Sequence, residues 1–155
     1  MSLEERVSVL EAREAVRELR ARYGWHAARG EYRQISELFT ADGVFEFSGL
    51  GERQAFRGRQ SIRDMLGTTM TPQMVFPFIH NDIIIVNGSE ASGTCTMDTN
   101  IAPGRDRGLL GYYHDKARSE GGIWLFSERR WFLYHPAYED SGLGFDGRPR
   151  EDEGR

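Results

Sequence analysis

The feature that most restricts the fold is the second half of the chain. From Pro72 onward it consists of four long β-type segments in two tight pairs. "MVFPFIHNDIIIV" and "EASGTCTMDTNI" are joined at "NGS", and "GLLGYYHDKARS" and "IWLFSERRWFLYH" at "EGG". β-Branched and aromatic residues suit a pleated, half-buried surface, and a short Gly-containing joint between two such runs makes a hairpin. A long antiparallel meander needs a second layer over one of its faces.

The first half supplies that layer. Ser2 and Glu5 form a capping-box pattern that opens a long helix, with Leu10, Val16, Leu19 and Tyr23 as its apolar stripe and Gly30 as its stop. "EYRQISELF" predicts a short second helix with Tyr32, Ile35, Leu38 and Phe39 on one face. "ADG" reads as a turn, and "VFEFS" and "RQAFRG" as a strand pair around "LGE". "RQSIRDMLGTTM" reads as a third helix with Ile62, Met65 and Leu66 inward. The expected fold is α+β: N-terminal helices packed against a strongly curved antiparallel or mixed sheet, forming a cone-shaped half-barrel with an internal pocket. Residues 1–135 form one domain. The tail, 136–155, is rich in Gly and charge and is expected to be part lid, through Tyr138, Leu143 or Phe145, and part disordered.

At 155 residues and a net charge of −4, the chain is long enough for a real core and lacks the basic excess of a nucleic-acid or anionic-membrane binder. Cys95 is the only cysteine, which excludes an intrachain disulfide and fits a reducing, cytoplasmic setting. No stretch has the length and apolarity of a membrane span or a secretory signal.

Motifs for phosphate loops, dinucleotide binding, nucleophile elbows and zinc-binding helices are absent. What remains is acid–base chemistry by His, Tyr and carboxylates in an apolar cavity, without metal or cofactor. His80, set in the run "FPFIHNDIIIVN", is the candidate base, because burial beside aromatics favours a neutral imidazole that accepts a proton. The bland alternative is a core histidine bonded to a backbone carbonyl. Tyr23 shares the inward helical face with Val16 and Leu19 and is the candidate hydrogen-bond donor to an oxyanion. His26, one turn later, is a weaker candidate on that face.

Asp98 reaches His80 in only one of two hairpin registers. A two-residue loop at Asn87-Gly88 sets His80 opposite Cys95, with Asp98 on the other face. A three-residue loop with a bulge sets it opposite Thr96, with Asp98 on its own face. Phe47, Phe76, Met97, Tyr112 and Trp131 are the expected pocket wall. Of Arg129 and Arg130, either suited to an anionic substrate, at least one must be a surface charge, because neighbours on a strand point opposite ways.

"LEAREAVRELRARYGWHAARGEYRQISELFTADGVFEF" and the later "GYYHDKARSEGGIWLFSERR" resemble the helix–helix–strand opening and the closing strand pair of SnoaL-like proteins, in the nuclear-transport-factor-2-like (cystatin-like cone) superfamily. The resemblance runs over about residues 3 to 135 and is closest to the dehydratase-like branch. It implies a cofactor-independent lyase for a hydrophobic cyclic or aromatic small molecule, with Tyr23 and His80 at the positions of the acting Tyr and His. It equally implies an isomerase or polyketide-type cyclase using the same pocket, or a non-catalytic small-molecule-binding domain, and assembly as a homodimer or homotrimer. Two positions depart from the family pattern. A carboxylate late in the first helix is replaced by Ala28, and the Asn that follows the family's His by four residues is Ile84 when counted from His80. A lyase of this kind requires Tyr23 and His80 to face one cavity.

Overall fold

The structure is a computed structural model that describes residues 1–48, 53–70, 75–101 and 109–133. The chain runs α1 (Leu3–Ala28), α2 (Tyr32–Glu37), β1 (Phe39–Ser48), β2 (Gln54–Arg57), α3 (Arg59–Met70), β3 (Val75–Asn87), β4 (Glu90–Ile101), β5 (Leu109–Glu120) and β6 (Ile123–Leu133). The strands form one six-stranded sheet in the order β2-β1-β6-β5-β4-β3. All neighbours are antiparallel except β1 and β6, so the sheet is mixed, curved and open. Helices cover one face, with α1 lying against β3 and β6.

The capping box of α1 forms as its sequence predicts: the Ser2 hydroxyl accepts from the Glu5 amide and the Glu5 carboxylate accepts from the Ser2 amide. The buried stripe of α1 is Ala12, Val16, Leu19, Arg20, Tyr23 and Ala27. Leu10 is not part of it: like most of the first turns of α1 it is solvent-exposed among the described residues. The core gathers Val16, Leu19, Tyr23 and Ala27 of this stripe with Ile35, Phe39, Phe45, Ile62, Leu66 and Phe126. The "ADG" segment lies within β1 as an irregularity, where the pairing with β6 shifts between Phe39 and Val44. A Cβ at Gly43 would meet the Phe39 Cβ at 2.9 Å, so this crowded bend needs glycine.

β3 and β4 are joined by the two-residue loop Gly88–Ser89, with Asn87 opposite Glu90. The register shifts again between His80 and Ile83, where Asn81 takes φ 56. His80 therefore faces Thr96, as in the second of the two registers above, but the extra residue is a bulge at Asn81–Asp82 and not a longer loop. The bulge inverts which residues of β3 point inward: buried Pro77 and the partly buried Ile79 before it, and Ile84 after it. The proposed lid and tail, and the side chain of Phe76, lie outside the described residues. Among the described residues no helix is long and apolar enough to cross a membrane.

Candidate functional site

Strand register assembles the inner face of the sheet row by row. Gly93, Asp115, Arg129 and Phe45 pair across β4, β5, β6 and β1 as one row, and Cys95, Tyr113, Trp131 and Phe47 form the next. Met97, Gly111 and Leu133 follow. α1 lays Arg20 and Tyr23, three residues apart on one helical face, over these rows.

Seven aromatic and charged side chains meet there. Tyr23 and Tyr113 are 1% and 4% exposed, and their rings stand edge to face at 5.8 Å. Their hydroxyls lie close enough for the protonation of each to influence the other. The Arg129 guanidinium, fully buried, lies 3.7 Å from the centre of the Tyr113 ring, 4.2 Å from that of Tyr23 and 4.6 Å from that of Phe126. Beneath it, Arg20 donates to Asp115 at 3.0 Å and to Asp82 at 2.5 Å. The bulge in β3 is what brings Asp82 round to Arg20. The Asp115 carboxylate is 3.6 Å from Nε of Arg129.

Burial sets the protonation of this cluster. It raises both tyrosine hydroxyls, Tyr113 well above its ordinary value, against the opposing pull of Arg129. The same desolvation pushes the Cys95 thiol up to about 11. Burial also raises Asp115, while Arg129 and Arg20 draw it back toward the ionised form. Desolvation works against the charge on Arg129, and Asp115, Cys95, Tyr113 and Tyr23 together outweigh it. Near neutral pH the tyrosines are therefore neutral donors beside a permanent cation. Beyond Tyr113 the inner face turns apolar: Trp131, Phe47 and Phe56 are half-buried, with ring centres 5.0 Å apart for Phe47–Trp131 and 6.3 Å for Phe47–Phe56.

Of the expected site residues, the structure brings together Tyr23, Phe47, Met97 and Trp131. It separates the rest. His80 and Asp98 do share a face, but it is the outer one, where both are exposed, so the expected burial of His80 beside aromatics is corrected. Tyr112 also points outward, stacked on Phe132 at 4.6 Å, and does not line the inner face. His26 ends α1 with its Nδ1 2.7 Å from Glu31, and lines a separate groove of about 540 Å³ beside Arg22 and Trp124. The condition that Tyr23 and His80 face one cavity is not met. The physical reason is the bulge: the register shift between His80 and Ile83, with Asn81 at φ 56, leaves His80 on the outer face while Ile84 points inward. Among the described residues no histidine lies on the inner face, since His114 alternates outward with Tyr112, and none of them form a metal-binding group.

Sequence reasoning did not single out Arg20, Tyr113 or Asp115. The signal was present: Tyr113 and Asp115 are two apart on a strand, and Arg20 lies one helical turn before Tyr23.

The sequence model of the family described as "SnoaL-like domain" matches residues 8–130. No curated protein matches the sequence. Similar solved structures include an NTF2-like protein with a cystatin-like fold from Novosphingobium aromaticivorans, 27% identical, with a TM-score of 0.73 over 92% of this chain and 96% of that one. A variant of Rv3472, a Mycobacterium tuberculosis protein of unknown function, is 21% identical with a TM-score of 0.74 over 94% and 86%. The hexachlorocyclohexane dehydrochlorinase LinA type 2 is 15% identical, with a TM-score of 0.67 over 81% and 87%.

Proposed function

Because this chain belongs to the SnoaL-like domain family, we propose that it is a cofactor-free enzyme of the lyase type, acting on a hydrophobic cyclic or aromatic small molecule. The observation that carries this reading is the buried, edge-to-face Tyr23–Tyr113 pair, which ends an aromatic inner face and is backed by Arg129. A carbonyl oxygen docked on the pair gains negative charge as a base from solvent takes the proton of the neighbouring carbon, and a phenolic oxygen gains it by giving up its own O–H proton to that base. Fixed donors in a dry site stabilise that charge, and each such donor contributes about a hundredfold or more in rate. Loss of a leaving group from the next carbon completes an elimination. The dehydrochlorinase among the similar structures supports this class. Isomerisation or ring closure would use the same oxyanion site, and the base is not drawn from His80.

A second reading, a non-catalytic small-molecule-binding domain, is favoured by the lack of a described inner-face histidine. Calorimetry and mass spectrometry on a panel of cyclic ketones and phenols separate the two. Binding that weakens at least about tenfold in Tyr23→Phe, with product formed, supports the enzyme. Binding without product in any case selects the binding domain. If the native chain binds no member, both readings fall. The same proposal includes self-association through the outer sheet face, with a second copy as the partner.

A further inference from the structure

We infer that the floor of the cone takes its ligand as an oxyanion, the phenolate or enolate of an acidic ring compound, and that Arg129 is the positioning residue responsible. This rests on the proposal that Tyr23 and Tyr113 receive a ring oxygen, and narrows it to a substrate class.

The charges around the pair are unevenly shared. α1 contributes Arg20, β3 Asp82, β5 Asp115 and β6 Arg129, so cations and carboxylates balance in number. They do not balance in geometry. Arg20 donates to both carboxylates, at 2.5 and 3.0 Å, which turns them toward the helix. Arg129 keeps only a 3.6 Å approach to Asp115. Its Nε and Nη1 have no hydrogen-bond acceptor among the described residues, and Nη2 points at the Cys95 sulfur at 3.9 Å. A fully buried guanidinium left this poorly matched is costly in a low-dielectric interior unless other negative density is near. The faces of Tyr23, Tyr113 and Phe126 provide part of it.

Those contacts act in both directions. A cation against a phenol ring withdraws electron density and makes its hydroxyl a stronger donor. The two hydroxyls thus carry the field of Arg129 to whatever oxygen they hold. An ionised oxygen gains from that field, and a neutral ether or alcohol gains little. Cys95, the other titratable group facing Arg129, stays a neutral thiol and does not compete.

The test uses the full chain with 4-nitrophenol, whose ionised form absorbs at longer wavelength than the neutral form, and with 4-nitroanisole, its methyl ether. The expected result is that bound 4-nitrophenol ionises at a pH lower than the free compound by about one unit or more. It should also bind at least about tenfold more tightly than 4-nitroanisole near neutral pH. Arg129→Met should abolish most of this shift, Arg129→Lys should retain part of it, and Tyr113→Phe should reduce it. Should Arg129→Met not fold, the Lys and Phe variants carry the comparison. A bound nitrophenol that stays neutral, or an ether that binds as well as the phenol, overturns the anion assignment while leaving ring binding intact. A shift unchanged in the Arg129 and Tyr113 variants overturns the role of Arg129. Failure of both compounds to bind overturns the ring-oxygen reading as well.

Discussion

Asp115 is the residue on which the interior charges depend. It is 1% exposed, accepts from Arg20 and is the only carboxylate within 4 Å of Arg129 among the described residues. Asp115→Ala strands the Arg129 guanidinium in the core, leaves Arg20 with Asp82 as its one carboxylate partner, and is expected to cost about 3–5 kcal/mol in urea unfolding. Asp82→Ala should cost less, because the Asp82 side chain is 25% exposed and water can replace it. Equal costs would show that the two carboxylates are not ranked by burial. Cys95 offers a second readout. With 1% exposure and a thiol raised to about 11, it should resist a thiol reagent in the native chain and react once urea unfolds it. Rapid labelling under native conditions would show that the interior opens far more readily than this packing allows. At this scale the sequence was legible in part. The helical spacing of Val16, Leu19 and Tyr23 places Tyr23 inward without further help. The choice between Arg129 and Arg130 needs the parity of β6, which depends on pairings with β5 and β1 that no local pattern states.

At the scale of elements, the deciding feature is the bulge in β3. Asn81 sits at φ 56, a conformation that Asn and Gly accept and β-branched residues resist. Asn81→Gly should leave stability nearly unchanged, and Asn81→Val should lose about 1–2 kcal/mol or more in the same unfolding measurement. Equal stabilities would mean that the strand can pass this point without the positive φ. The bulge also explains where sequence reading stopped. The hairpins, their lengths and the three helices follow from apolar periodicity and turn residues, and they lie where those signals put them. A single extra residue at Asn81–Asp82 turns His80 outward and Asp82 inward, and its only local trace is an Asn-Asp pair that also suits an ordinary strand end. The junction of α1 and α2 carries a pH dependence. Hydrogen bonds from His26 and Arg29 hold the half-buried Glu31 carboxyl below its ordinary range. A carboxyl lowered in the folded state stabilises it above the unfolded value and loses that contribution as pH falls through the folded one. Glu31→Gln should therefore flatten the acid side of the melting-temperature profile and leave its alkaline side alone. An unchanged acid slope would remove Glu31 from that transition.

At the scale of the whole molecule, the sheet has two faces with opposite characters. The inner face buries charge under aromatics and is covered by helices. The outer face presents Phe78, Ile83, Ile85 and Leu110 at 48, 63, 65 and 44% exposure, next to the half-buried Tyr112–Phe132 stack. Isolated exposed apolar residues are ordinary, but these share one sheet face, with Asp98, Glu128, Lys116 and His80 interspersed. Apolar side chains mixed with both signs of charge suit an isologous contact, in which each patch meets its own copy about a two-fold axis. The expected consequence is that Ile83→Arg combined with Ile85→Glu lowers the mass measured by light scattering to that of one chain, while ring-compound affinity stays within about twofold. His80→Ala should likewise leave that affinity unchanged, since its imidazole lies across the sheet from Tyr23. Tyr23→Phe should do the reverse, weakening the ligand and keeping the assembly. A native chain that is already a monomer at high concentration, or a double variant that still assembles, removes the outer face from the proposal. Loss of ligand in His80→Ala would show that the two faces do not act separately.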